Sequence, residues 1–270
     1  MRFNWNSYFA NNVSLIVKPG FKILVILSLM LGLSACGNNV VFTNCDGEGI
    51  CSSTIEVTRY KGELPVSPRS GFWNSKQGPK KVTVELGPQL ITNPQWPNPS
   101  IKEVTISAAR TNSEIAIRLE WEDDGVDSGQ GQTRMYTDQA AALFPLNRNR
   151  ELPPITMGAE GETVNIWIWK ASRDLSLSGA VPPDAPSPVE DLNAEGFSTL
   201  TRQDKQDVKG QGYHTGSRWQ VVLKRKLTDN QEEDAQFTGS TPMAVAVWNG
   251  GNRETNGQKG LSDWIFLKFI

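Results

Sequence analysis

The side chains able to do chemistry in this 270-residue chain are few. His214 is the one histidine, and the glycines and polar residues around it place it in a loop. It could serve as a base or an iron ligand, although an exposed loop histidine ordinarily does neither. Neither a Gly-x-Ser-x-Gly elbow nor a Gly-x-Gly-x-x-Gly turn occurs, so serine-hydrolase and dinucleotide sites lack their motifs. The three cysteines, Cys36, Cys45 and Cys51, supply neither a Cys-x-x-Cys-His haem attachment nor the four thiolates of an iron–sulfur cubane. Any cofactor must therefore be held non-covalently. The carboxylates Glu120, Glu122, Asp123, Asp124 and Asp127 could hold calcium, but they lack a recognisable loop motif and read as a solvated turn. Met157 sits just before an apolar strand, and Lys259 lies in a glycine-rich loop between Gly257 and Gly260. Taken alone, the first is core filler and the second a surface charge.

The front of the chain is a targeting segment. Arg2, Lys18 and Lys22 precede the apolar run 23–33, which ends in Leu33-Ser34-Ala35-Cys36. A positive flank, a short apolar core and small residues before a cut describe a secretory signal over 1–35. The cysteine after Leu-Ser-Ala resembles a bacterial lipobox, which implies cleavage before Cys36 and a lipid on its sulfur. Gly37 is not an aspartate-type retention signal, so the expected location is the periplasmic side, at the outer rather than the inner membrane. Removing 1–35 takes away three basic side chains and no acidic one, moving the formal charge from -2 to -5. That balance argues against nucleic acid as a partner. In an oxidising compartment Cys45 and Cys51 could close a small disulfide loop.

The rest reads as strands. Residues 36–69 form a lipidated tether and edge segment, and 70–270 a single domain. Period-two runs at 81–86, 102–110, 114–121, 163–170 and 218–225, with 243–248 and 264–269, predict about eight strands. A short helix is expected over 138–144, with Thr137 as cap and Pro145 as stop. The stretch 174–216, rich in Gly, Pro, Asp and Gln, is expected to be a long functional or partner-covered loop. The fold class is all-β: an antiparallel β-sandwich with one or a few short helices.

Several local patterns come in a telling order. A strand ends at Trp121 before acidic residues, then DQAAALFP follows at 138–145, and ITMG at 155–158 leads into VNIWIWKA at 164–171. After these come GSRWQVV at 216–222 with Arg225 beyond, AVWNG ending at Gly250, Arg253-Glu254, Gly257 to Lys259, and Ser262 to Trp264. Over about 70–270 this resembles the haem b-binding gamma subunit of type II molybdenum enzymes of the dimethyl sulfoxide reductase superfamily. That family includes ethylbenzene dehydrogenase, the selenate, chlorate and dimethyl sulfide enzymes, and nitrite oxidoreductase-like assemblies.

The resemblance implies one non-covalent haem b with methionine and lysine as axial ligands, which match Met157 and Lys259. Arg225, Arg253 and Lys170 become cationic candidates for the haem propionates, and Met243 is a reserve sulfur. It further implies an electron-transfer subunit rather than a catalyst. Its partners would be a molybdopterin-containing alpha subunit, an iron–sulfur beta subunit and a cytochrome or quinone-linked carrier. The lipobox and the Cys45, Cys51 pair depart from the soluble periplasmic gamma subunits. A different class also fits: a lipid-anchored carbohydrate-binding or structural β-sandwich without haem. In that reading Trp121, Trp167, Trp169, Trp219, Trp248 and Trp264 are stacking platforms.

Overall fold

The computed structural model describes residues 43–45, 51–129, 136–147, 151–180, 182, 184 and 186–270. The signal segment and Cys36 lie outside them. In chain order the strands are β1 (Thr43–Cys45), β2 (Cys51–Arg59), β3 (Val82–Glu85), β4 (Glu103–Arg110), β5 (Glu114–Glu122), β6 (Gln139–Pro145) and β7 (Val164–Lys170). They continue with β8 (Val189–Ala194), β9 (Thr201–Arg202), β10 (Lys209–His214), β11 (Arg218–Lys226), β12 (Thr241–Trp248), β13 (Gly260–Leu261) and β14 (Ile265–Phe269). Among the described residues the helices are two 3-10 turns, Gly71–Asn74 and Ala171–Arg173.

Hydrogen bonding links the strands along one path, β10-β11-β5-β4-β2-β14-β12-β6-β7-β8-β9. The hinge of that path is β12. Its first residues, Thr241 to Met243, pair with β14, and Ala244 to Trp248 pair with β6. The path thus bends into two sheets that face each other. Between them lies the main core, where Trp169 of β7 meets Trp219 of β11 at 5.0 Å and Trp121 of β5 at 6.5 Å. This is an all-β sandwich. Most pairs are antiparallel, but β2 runs parallel to both β14 and β4.

Two expectations are corrected. Residues 139–145 are a strand, not a helix. Ala140, Ala142 and Phe144 enter the inter-sheet core, whereas Ala141 and Leu143 join a second apolar cluster on the outer face. With both faces buried, alternation vanishes and an alanine run imitates a helix. The stretch 174–216 is not one long loop, since it contains β8, β9 and β10. Its polar composition conceals buried positions such as Asp191, whose carboxylate accepts a 2.6 Å bond from Asn165 Nδ2 on the neighbouring β7.

The outer strand β10 owes its glycines to close packing. A Cβ on Gly212 would lie 2.2 Å from Cζ2 of Trp169, so only glycine lets this strand rest on the tryptophan core. Gly212→Ala is therefore expected to lower the unfolding free energy by about 1–3 kcal/mol, as overpacking does. Urea denaturation of the variant measures this, and an unchanged midpoint would show that the strand does not rest on Trp169.

Candidate functional site

The outer face of the second sheet carries a cavity of about 600 Å³, within the range of small-molecule and cofactor sites (roughly 300–1,000 Å³). Strand parity makes its floor. On β6, Ala141 and Leu143 face outward; on β12, Ala244 and Ala246; on β7, Ile166 and Ile168; on β8, Leu192. Register places Ala244 opposite Leu143 and Ala246 opposite Ala141. Three alanines thus lie together where larger side chains would fill the space. The floor is apolar and shallow-chained, which suits a flat, greasy ligand.

Loops form the walls, and each brings a chemically distinct residue. Lys259 immediately precedes β13, whose Gly260 pairs with Val247 and whose Leu261 pairs with Ala246. Leu261 is also locked to Gly87 by reciprocal backbone bonds of 2.8 and 3.2 Å. A Cβ on Gly260 would approach Ile101 O to 2.9 Å, so the chain beside Lys259 is tightly confined. The Lys259 amine lies 4.8 Å from the ring centre of Trp248. Among the described residues no carboxylate pairs with it. Burial alone pushes its pKa down from the usual lysine range to about 8.

Met157 lines the same cavity beside the turn that follows β8. Its backbone is left-handed, φ 80°, and Gly158 follows at φ 78°. The turn is held by Gly158 N donating to Pro154 O at 2.9 Å and Gly196 N donating to Met157 O at 2.8 Å. A left-handed non-glycine residue costs about 1–3 kcal/mol and survives where its surroundings over-determine it. Here the β8–β9 turn, through Gly196, fixes a strained methionine at the cavity wall.

Of the residues singled out from the sequence, Met157, Lys259, Lys170 and Trp248 line this one cavity. Lys170 ends β7 and pairs with the Glu190 carboxylate. Arg225 goes elsewhere: it shares strand parity with Trp219, Val221 and Leu223 and enters the inter-sheet side. There its Nη1 lies 2.9 Å from Asp234, its Nη2 donates to Ala235 O, and its guanidinium covers Trp167 at 5.5 Å. Arg253 is exposed in a turn at φ 61° and is not among the cavity-lining residues. Met243 is fully buried in the inter-sheet core.

His214 belongs to β10. Its Nε2 contacts Asp123 O at 2.9 Å and its Nδ1 accepts from Gly216 N, so both nitrogens serve the fold. Glu120 is occupied by Lys81, Arg118 and Arg218. A different carboxylate group, Asp191, Asp207 and Asp234, surrounds Arg225. Burial raises Asp191 to about 8 and Asp234 to about 7. Trp121, Trp167, Trp169 and Trp219 are buried core rings rather than surface platforms. Sequence reading missed the alanine floor, the wall at 89–94, and the lip formed by exposed Phe197 and Leu200. The floor was detectable from strand parity once β6 was known; the loops carry no period.

The family model described as ethylbenzene dehydrogenase matches residues 72–181 and 178–260. The chain belongs to the ethylbenzene dehydrogenase family. The matched segments include the cavity's floor strands, the Met157 turn and Lys259. The resemblance read from the sequence is borne out at this level. The chain is 28% identical over 247 residues to a candidate respiratory nitrate reductase heme subunit, ORF7, of Haloferax mediterranei, covering 91% of this chain and 81% of that one. It is also 28% identical over 219 residues to the chlorate reductase subunit gamma of Ideonella dechloratans, covering 80% and 84%. Among solved structures, a family 9 carbohydrate binding module from Caldicellulosiruptor kristjanssonii in complex with glucose matches with TM-score 0.40 and 10% identity. That match covers 80% of this chain and 95% of the module.

The unpaired amine has a measurable signature in the cofactor-free protein. An unfolded lysine titrates near 10.5 and the folded Lys259 near 8. Between these values the unfolded chain binds more protons, so this group makes stability rise with pH across that window. Lys259→Met removes the effect. Denaturation from pH 8 to about 10.5 is expected to show wild type gaining on the variant as pH rises; a pH-independent difference would mean the amine is solvated.

Proposed function

We propose that the cavity holds one non-covalent haem b, with the Met157 thioether and the Lys259 amine as its axial ligands. The observation that carries this reading is the meeting of those two side chains, far apart in the chain, at one apolar cavity where the amine has no anion. The donor set fits the group. A thioether is a soft neutral ligand, and a lysine depressed to about 8 is already partly neutral near pH 7, by roughly a tenth. Haem, when bound, supplies a one-electron redox centre. The alanine floor and the isoleucines would exclude water from the bound group. Lys170, at the cavity edge and paired with Glu190, is the cation suited to a propionate, whereas Arg225 and Arg253 are not placed for it.

With both axial positions taken by protein, iron has no open site for substrate, and the chain acts as an electron-transfer subunit rather than a catalyst. The names of the relatives, a nitrate reductase heme subunit and a chlorate reductase gamma subunit, support membership of a multi-subunit oxidoreductase. Here the partners are a molybdopterin-containing alpha subunit, an iron–sulfur beta subunit and a cytochrome or quinone-linked carrier. No helix among the described residues is long and apolar enough to cross a membrane. Attachment through a lipid on Cys36, on the periplasmic side, is the anchor we propose. The backbone register of β1 and β2 sets Cys45 opposite Cys51, which suits a disulfide there. A glycan-binding reading draws less support, because five of its six tryptophan platforms are buried.

Expression with haem available tests the proposal. The purified protein is expected to show a low-spin b-type spectrum, with the haem extractable by acidified solvent. Met157→Ala and Lys259→Ala should each alter that spectrum and lower haem retention severalfold. A folded, colourless wild-type protein would overturn the reading.

A further inference from the structure

We infer that Glu254 is the positioning residue that sets Lys259 against the bound group, an inference that rests on the haem reading above. Glu254 is wholly buried, yet among the described residues no cation pairs with it. Neutral donors hold it instead. Oε1 accepts from Trp96 Nε1 at 3.0 Å, Ser100 N at 2.8 Å, Ser100 Oγ at 3.1 Å and Asn252 Nδ2 at 3.0 Å. Oε2 accepts from Asn249 N at 3.0 Å. A buried carboxylate is tolerated when enough donors converge on its oxygens, and five do so here.

The donors come from two loops that wall the cavity. Asn249 and Asn252 belong to the turn leaving β12, and the chain passes directly from Glu254 through Thr255, Asn256 and Gly257, all cavity-lining, to Lys259. Trp96 and Ser100 belong to the facing loop. Trp96 exchanges backbone bonds of 3.0 and 2.6 Å with Gln89. The Gln89 side chain in turn organises 91–94: its Oε1 accepts from Ile91 N and Thr92 N, and its Nε2 donates to Thr92 O and Pro94 O. Gln89, Thr92 and Pro94 line the cavity too. The two walls nearly touch, since a Cβ on Gly257 would lie 3.1 Å from Thr92 Oγ1. One carboxylate therefore clasps both walls across more than 150 residues of sequence. Without it, the segment carrying Lys259 keeps its ties at β13 and at Asn256, whose carbonyl accepts from Trp248 Nε1 at 3.0 Å, but loses its clasp to the facing loop.

Asp174 provides the contrast. It is another buried carboxylate held by neutral donors, Trp169 Nε1, Gly212 N and Ser176, but it faces the inter-sheet tryptophans instead of the cavity loops. Losing either carboxylate should weaken the fold; only one should disturb Lys259.

The test compares haem-loaded wild type, Glu254→Gln, Asp174→Asn and Lys259→Ala by ferric absorption and electron paramagnetic resonance, with thermal unfolding alongside. Gln keeps one accepting oxygen but turns an NH2 toward donors on its other side, where Glu254 accepts from Asn249 N, and so weakens the clasp. Both Glu254→Gln and Asp174→Asn are expected to lower the melting temperature. Only Glu254→Gln should lose low-spin signal severalfold and move toward the Lys259→Ala spectrum, with added n-butylamine restoring it. If Glu254→Gln fails to fold, the double change Trp96→Phe and Ser100→Ala removes both side-chain donors of the facing loop and should shift the spectrum the same way. A Glu254→Gln or double-variant spectrum identical to wild type, or an equal shift in Asp174→Asn, would overturn the assignment. Colourless wild type would remove the haem reading and this inference with it, whereas a haem-loaded wild type beside an unchanged Glu254→Gln removes this inference alone.

Discussion

An amine held in an apolar cavity with no anion beside it is the constraint around which this protein is arranged. A charged lysine there forfeits hydration and gains only the face of Trp248 in return, so burial drives Lys259 toward its neutral form. The neutral fraction, roughly a tenth near pH 7, carries a free lone pair able to bind a metal. The surrounding structure makes sense on that basis. β13 and Gly87 hold one end of the lysine segment, and Glu254 ties the other to the facing loop. At the same cavity, the β8–β9 turn maintains a left-handed methionine. Backbone strain and a suppressed charge, both unfavourable, are kept at one place.

The second sheet must meet two demands at once. Its inner face packs tryptophans against the first sheet, and its outer face leaves an alanine-floored hollow. β12 makes this compatible by belonging to both sheets: Met243 fills the inner core, and Ala244 and Ala246, just beyond it, form cavity floor. The rigid tryptophan layer beneath gives the cavity a floor that does not yield. Precise placement of a redox centre depends on such support.

Much of this was legible in the sequence. β4, β5, β7 and β11 announce themselves by period two, and their number is enough to select an all-β sandwich. β6 was not legible, because a strand buried on both faces has no polar side to alternate with. β8 to β10 were hidden by polar residues whose partners come from other strands, as Asn165 of the neighbouring β7 does for Asp191. Arg225 could have been placed correctly: it falls in step with Trp219, Val221 and Leu223, and that parity points inward. Met157 and Lys259 were visible only through family resemblance, since loop residues carry no period and their meeting is a property of the whole topology. Glu254 gave no signal of its own either; a charged residue in a polar loop looks solvated until the loop it clasps is known.

The central claim is that iron sits between one sulfur and one amine supplied by this chain. X-ray absorption at the iron edge of the haem-loaded protein tests it most directly. The account predicts a single sulfur neighbour in the iron shell of wild type, retained in Lys259→Ala and absent from Met157→Ala. An iron shell without sulfur in wild type, or a sulfur that persists in Met157→Ala, would contradict it.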